Sequence, residues 1–89
     1  MVYMVIDRDR KAVKIGFTEN LERRMREYRT HNPFADFVDV LSGDEELECE
    51  LQERMIDMGF TSIKGTEWMR IPKGISRKYV SKMGFKIFC

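Results

Sequence analysis

Two short hydrophobic runs stand near the start of the chain, at residues 2–6 and 12–17. Five consecutive charged residues, 7–11, separate them. Short β-prone runs joined by a polar turn are typical of a β-hairpin. The pattern therefore predicts two neighbouring strands, with Tyr3 on the first and Lys14 on the second. Gly16 follows at once, where a missing side chain lets a backbone or a phosphate approach closely.

The hydrophobic period then changes to that of a helix. Leu21, Met25 and Tyr28 recur at i, i+4 and i+7, which predicts one buried stripe. Either Thr18 or Asn20 can cap the start of this helix, and residues 32–33, Asn-Pro, end it. Arg24 and His31 lie beside the stripe and are expected to face the hairpin. Residues 37–41 are again β-prone and predict a third strand.

A second helix is predicted over residues 44–58, because residues 42–45 have the Ser-x-x-Glu form of a capping box. Gly59 supplies the glycine that commonly follows a helix end. Glu48 lies on the edge of the buried stripe, where a half-buried carboxylate needs a partner. The stripe itself consists of Leu47, Leu51, Met55 and Met58.

The remaining pattern predicts a short strand over residues 66–71, a basic amphipathic helix over residues 75–83 and an edge strand over residues 85–88. Trp68, the only tryptophan, is expected in the core because of its size. The predicted fold class is α/β (α+β): a small three-stranded mixed or antiparallel sheet flanked by helices, ordered β-β-α-β-α-β and followed by a C-terminal basic helix.

Length and composition favour one small domain over residues 1–89, with no repeat and no linker. No apolar run is long enough to cross a bilayer, and no signal-peptide pattern is present. We therefore expect a soluble protein without a membrane partner, located in the cytoplasm, or in the host cytoplasm if phage-encoded. Cys49 and Cys89 are expected to be free thiols.

Charge is strongly segregated although the net charge is only +1. Residues 1–35 carry eight basic and five acidic residues, residues 36–57 one basic and nine acidic, and residues 58–89 seven basic and one acidic. An acidic helix between basic segments suits a metal-assisted phosphodiester site, where carboxylates hold the cation and basic residues hold the phosphates. A solvated acidic helix face is the alternative for most of these glutamates.

The order and spacing of several motifs resemble the GIY-YIG nuclease superfamily, in particular its compact phage and bacterial branch. The resemblance covers about residues 2–71. In that branch, the second motif of the superfamily reads valine-lysine-isoleucine-glycine, which is the sequence of residues 13–16 here. The matching positions are Tyr3 in the first motif, Lys14 and Gly16 in the second, the helix arginine Arg24, the glutamate Glu48, and the late run Gly65-Thr66-Glu67-Trp68-Met69.

The resemblance implies a role for each matching residue. Tyr3 would help to activate the attacking water, with the Lys14 ammonium favouring its phenolate. Arg24 would hold a phosphate oxygen, and Glu48 would bind one Mg²⁺ or Mn²⁺. Further candidates are Tyr28 and His31 for proton transfer or phosphate positioning, and Gly16, Arg23, Lys73, Arg77 and Lys78 for substrate binding.

Three functions follow as hypotheses. The first is a metal-dependent DNA endonuclease or nicking enzyme of GIY-YIG type, with DNA as its partner. The second is a nuclease-fold module that binds nucleic acid or a protein without catalysis. It is favoured by Val2, where the first motif has glycine, and by Gln52, where many members of the branch have histidine. The third is a small phage-type regulator that uses the acidic helix as a partner surface. Specificity could come from a fused domain or a protein partner, and the oligomeric state is left open.

Overall fold

The computed structural model describes all 89 residues, Met1–Cys89. The elements in chain order are β1 (Val2–Asp7), β2 (Ala12–Phe17), α1 (Leu21–His31), β3 (Ala35–Leu41), α2 (Glu45–Asp57), β4 (Thr61–Ser62), β5 (Met69–Arg70) and α3 (Arg77–Met83), and a 3₁₀ helix (Gly84–Phe88) follows α3. The five strands form one antiparallel sheet in the order β3-β1-β2-β5-β4.

The predicted hairpin is formed by β1 and β2. Tyr3 pairs with Gly16 and Val5 pairs with Lys14. The Asp7 side chain fixes the turn, because its Oδ1 accepts hydrogen bonds from the backbone N–H groups of the two residues that follow Arg8. This register places Tyr3, Lys14 and Gly16 on the same face of the sheet, since side chains alternate along a strand.

Every residue of β1 is buried, because helices cover both faces of the sheet. On one face, β1 and β2 contribute to an apolar core with residues of α2, α3 and the 3₁₀ helix. On the opposite face, Tyr3 packs against Tyr28 of α1 and Phe37 of β3. The core consists of Val2, Met4, Ile6, Val13, Ile15, Leu51, Met55, Phe60, Met69, Ile71, Val80 and Phe85.

The far half of β2 has no neighbouring strand on its outer side. Strand β5 pairs with β2 only at Ala12 and Val13. Beyond it, the Ile15 carbonyl accepts a hydrogen bond from Gln52 Nε2 at 3.0 Å. An unpaired carbonyl at this position would be destabilising, so Gln52 of α2 completes the strand edge. The open half of β2 can therefore be reached from α1 on one face and α2 on the other.

The sheet has five strands where three were expected, and the strand predicted over residues 66–71 is reduced to Met69–Arg70. Its partner β4 consists of two exposed residues, whose composition gives no hydrophobic signal. The edge strand predicted over residues 85–88 is a 3₁₀ helix instead. Asp39 Oδ2 accepts a hydrogen bond from the Phe85 N–H at 2.9 Å, which holds this segment against β3 in a helical turn.

All three predicted helices are present, but their caps and ends differ in part from the predictions. Asn20 caps α1, as one of the two alternatives. Asp44, not Ser42 of the expected capping box, caps α2 by accepting a hydrogen bond from the Leu47 N–H at 3.1 Å. Met58, which was predicted in the buried stripe, is exposed and forms the C-cap that follows α2. Both cysteines are free, and no helix has the length and apolar character needed to cross a membrane.

Candidate active site

The Tyr3 ring lies directly over Gly16. A Cβ atom at Gly16 would come within 2.4 Å of both Cζ and the hydroxyl oxygen of Tyr3. Glycine is therefore needed here for space: any larger residue would push the tyrosine from its place. The sequence led us to expect a backbone or a phosphate close to Gly16; the group that lies there in the structure is the Tyr3 side chain.

Three aromatic rings pack together between the sheet and α1. Tyr3 and Phe37 have ring centroids 5.1 Å apart, and Tyr28 meets both rings edge to face. Burial raises the pKa of Tyr3 well above its usual range, and its side-chain hydrogen bond with Tyr28 raises it further. The charges of Lys14 and Arg24 act in the opposite direction but are outweighed. At neutral pH the Tyr3 hydroxyl is therefore protonated.

Lys14 is engaged by a carboxylate that sequence reasoning did not assign to the site. Its Nζ lies 2.8 Å from Glu67 Oε2 and 5.6 Å from the centroid of the Tyr28 ring. The hydrogen bond and charge of Lys14 lower the pKa of Glu67, so this carboxylate is ionised at neutral pH. Glu67 stands in the late motif that includes Trp68, and its place in that motif was the only sequence signal for it.

Arg24 is half-buried and forms none of the salt bridges of the structure. Arg24 lines one cleft with Tyr3 and Glu67 and an adjoining cleft with Tyr28, and its charge lowers the pKa of all three groups. A half-buried, unpaired guanidinium is a site for a planar oxyanion such as a phosphate.

Glu48 reaches the same place from α2. Burial raises the pKa of Glu48, and the neighbouring carboxylates of Glu67 and Glu45 raise it further, against the opposing effect of Lys14. The site thus holds two carboxylates that repel each other, and Lys14 directly neutralises only Glu67. A cation beside Glu48 would relieve this repulsion.

These groups line one cleft of about 180 Å³ at the open half of β2. A cleft with two carboxylates, two cations and a tyrosine hydroxyl can hold a phosphate and orient a water molecule against it. The lining residues are Tyr3, Lys14, Ile15, Gly16, Phe17, Arg24, Glu48, Gln52 and Glu67.

Comparison with known proteins assigns the chain to a family. The model of the T5orf172 domain matches residues 1–84. The chain belongs to the T5orf172 domain family. This family is phage-associated and nuclease-like, which is compatible with a nuclease-type function. No curated protein and no solved structure matches the chain.

The match to the T5orf172 domain extends beyond the range of the sequence resemblance and includes the whole cleft as well as α3. The structure of this T5orf172 domain brings together Tyr3, Lys14, Gly16, Arg24 and Glu48 of the predicted site residues. Tyr28 packs against Tyr3 and Phe37 from α1, which agrees with its place in the predicted buried stripe of this helix.

Other predicted site residues of the T5orf172 domain lie outside the cleft. His31 lines a second cleft beside it, and Arg23 is exposed on α1, where its Nε lies 3.6 Å from Glu27 Oε1. Arg77 donates a hydrogen bond to the Arg8 carbonyl at the opposite end of the hairpin. Lys73 and Lys78 are also exposed, on the segment that contains Arg77.

Trp68 of the T5orf172 domain is half-buried and lines the second cleft, so the prediction that it belongs to the core is wrong. The short β4–β5 hairpin carries it away from the apolar face that α2 and α3 cover. No group of three or more histidine, cysteine, aspartate or glutamate side chains is close enough to enclose a metal ion.

Proposed function

We propose that this T5orf172 domain is a metal-dependent DNA endonuclease of GIY-YIG type, which hydrolyses a phosphodiester bond in the cleft at the open half of β2. One observation carries the proposal: an unpaired, half-buried arginine shares a small cleft with two carboxylates and a buried tyrosine. The nuclease-like family and the resemblance of the motifs support the same activity.

Arg24 would bind the scissile phosphate. Its guanidinium is free of intramolecular partners, whereas Lys14 in the same cleft is already bound to Glu67. A phosphate would therefore meet Arg24 first and gain a forked, charge-assisted pair of hydrogen bonds. The same contact would stabilise the negative charge that develops during displacement.

Glu48 would hold one Mg²⁺ or Mn²⁺, together with the second carboxylate oxygen of Glu67, whose Oε2 is bound to Lys14. Their carboxylate oxygens suit a hard cation, and Mg²⁺ commonly takes only one or two protein carboxylates together with waters and substrate phosphates. Burial raises the pKa of Glu48 and the carboxylates of Glu67 and Glu45 raise it further, and a cation would offset the charge of these carboxylates. The ion, when bound, would polarise the phosphate and lower the pKa of a water molecule.

The Tyr3 hydroxyl would orient the attacking water. Because burial and Tyr28 keep the hydroxyl protonated, it would act by hydrogen bonding and not as a free phenolate. Packing against Tyr28 and Phe37 fixes its position, as catalysis by orientation requires. This differs from the expectation that Lys14 would favour the phenolate, because the effect of burial is larger.

The test is nicking of supercoiled plasmid with Mg²⁺ or Mn²⁺, and with EDTA as the metal-free control. We expect Arg24→Ala and Glu48→Gln each to lower the nicking rate by about 100-fold or more. Arg26→Ala and Glu46→Gln are matched controls, because they remove the same charges from exposed positions of the same helices. Circular dichroism should show all four variants folded. Equal nicking by Arg24→Ala and Arg26→Ala would contradict the proposal.

The alternative is a module that binds DNA without cutting it. Two observations favour it: the side chains around Glu48 do not form a group of three metal ligands, and the Gln52 amide is used to bind the Ile15 carbonyl. It predicts salt-dependent DNA binding in EDTA that Arg24→Ala weakens, without nicking under any metal condition. The same four variants therefore distinguish the two functions.

A further inference from the structure

A second cleft of about 340 Å³ adjoins the first, with Lys14 and Arg24 common to both. It lies between the C-terminal half of α1 and the turn that connects β4 to β5. A ligand that spans both clefts would therefore keep a charged group at Arg24 and extend another part toward this second space. The lining residues are Lys14, Arg24, Glu27, Tyr28, His31, Asn32 and Trp68.

Trp68 is held in place by the turn that carries it. The backbone N–H of Trp68 donates a hydrogen bond to Thr66 Oγ1 at 3.1 Å, and the backbone carbonyl of Trp68 accepts one from the Ile63 N–H at 3.0 Å. Thr66 in turn donates through its hydroxyl to the Ile63 carbonyl at 2.9 Å. These bonds fix the backbone of the turn at Trp68, whose indole is half-buried although it is the largest ring in the chain. A partly exposed tryptophan on a turn with a fixed backbone, beside a cation, offers a stacking surface.

The opposite wall is polar. His31 and Asn32 follow one another at the end of α1, and the Asn32 N–H caps this end by donating to the Tyr28 carbonyl at 2.7 Å. The imidazole and amide groups of these two residues can each donate and accept hydrogen bonds. An aromatic wall facing hydrogen-bonding side chains, with a volume within the range of ligand pockets, fits a flat polar ring.

We propose that this second cleft holds a nucleobase of the DNA strand whose phosphate lies at Arg24. This rests on the proposed function, since the phosphate at Arg24 fixes where the neighbouring base can reach. The base stacks on Trp68, and its edge meets His31 and Asn32. A base in a duplex is stacked on its neighbours and cannot also stack on Trp68, so the strand bound here is locally unpaired.

Trp68 makes a direct test available, because it is the only tryptophan and its fluorescence reports on the cleft alone. The full chain is titrated in EDTA with a short oligothymidylate, and separately with a strand of the same length made of abasic phosphodiester units. We expect the oligothymidylate to quench Trp68 fluorescence and the abasic strand to leave it unchanged. Equal quenching by both strands, or none by either, overturns the proposal.

Affinity measured by anisotropy of labelled strands gives a second readout. Trp68→Ala should weaken binding of oligothymidylate about 5- to 100-fold, as expected for the loss of one stacked base, and should leave the abasic strand unaffected. Trp68→Phe keeps a stacking ring and should lose less, which separates stacking from a folding defect. Phe34→Ala, at an exposed aromatic residue outside both clefts and outside α3, is the matched control. Equal weakening of both strands by Trp68→Ala would contradict a base site.

The two proposals fail separately. Nicking that depends on Arg24, without base-dependent quenching, removes the base site and leaves the hydrolysis. Base-dependent quenching without nicking removes the hydrolysis and leaves the base site.

Discussion

At the scale of single residues, the behaviour of each group in the cleft depends on its neighbours more than on its type. Lys14 and Glu67 form an ion pair, so each already has one partner of opposite charge within the protein. Arg24 has no such partner, and its guanidinium is available to substrate. Tyr3 is buried, and the desolvation of its hydroxyl outweighs two nearby cations.

The contact between Tyr3 and Gly16 predicts that adding one methyl group at position 16 lowers both stability and activity. Gly16→Ala would place a Cβ 2.4 Å from the tyrosine ring, so we expect a loss of about 1–3 kcal/mol in the free energy of unfolding, together with reduced nicking. Thermal and urea melts measure the stability. In a Tyr3→Val background the same change should be much less destabilising, and an equal loss in both backgrounds would exclude this contact as the cause.

The raised pKa of Tyr3 predicts a loss of stability at alkaline pH. The folded protein binds the phenolic proton more tightly than the unfolded chain, whose tyrosines titrate near about pH 10. The contribution is complete below that pH and is lost as the pH rises toward the folded-state value. Between about pH 8 and about pH 11, the wild type should therefore lose more stability than Tyr3→Phe. Urea melts at each pH provide the measurement, and parallel losses would contradict the prediction.

At the scale of elements, the site depends on a strand that is only half paired. Strand β5 pairs with β2 only at Ala12 and Val13, so the rest of β2 has no neighbouring strand on that side. Helices α1 and α2 approach this part of β2 from opposite faces of the sheet. Gln52 satisfies the exposed Ile15 carbonyl, so α2 both completes the strand edge and brings Glu48 to the cleft. Gln52, which stands where the resembling sequences often have histidine, thus has a structural role in this chain.

The start of α2 gives a test of the element itself. Asp44→Ala should destabilise the protein by about 1 kcal/mol, because Asp44 Oδ1 accepts the Leu47 N–H at the helix end. This corresponds to a decrease of about 4–8 °C in the midpoint of thermal unfolding. Ser42→Ala, at the cap that the sequence pattern suggested, should have no effect. A larger decrease for Ser42→Ala than for Asp44→Ala would reverse the assignment.

At the scale of the whole molecule, the charged segments are distributed around the sheet. The acidic α2 and the basic α1 meet at the cleft, whereas Arg77 and Lys78 of α3 lie with Arg8 at the far end of the hairpin. Arg8 follows Tyr3 by five residues, which corresponds to about 17 Å along an extended strand. Arg77 and Lys78 are thus distant from the proposed chemistry, and DNA bound in the cleft would reach them only with its flanking part.

This separation predicts that α3 affects binding and not the chemical step. Lys78→Gln combined with Lys82→Gln should weaken DNA binding about 2- to 10-fold at low salt and reduce its salt dependence. The nicking rate at saturating DNA should remain that of the wild type. Anisotropy titrations at several salt concentrations and single-turnover nicking provide the two measurements. A fall in the saturated rate would place α3 in the active site.

The sequence by itself determined the hairpin, the two main helices and most of the cleft, because these depend on local periods and on motifs whose spacing is short. Tyr3, Lys14 and Gly16 are neighbours on two adjacent strands, so their proximity follows from the hairpin alone. The order of those motifs also indicated a nuclease-like family, and the T5orf172 domain family to which the chain belongs is nuclease-like.

Only the tertiary structure decided how the late part of the chain is used. Strand β4 has two exposed residues and no pattern of its own, and the 3₁₀ helix replaces a strand because Asp39, distant in sequence, binds its first turn. The pairing of Glu67 with Lys14 and the position of Trp68 outside the core depend on where the β4–β5 hairpin lies against β2. Such contacts join residues about fifty positions apart, and no local period of the sequence encodes them.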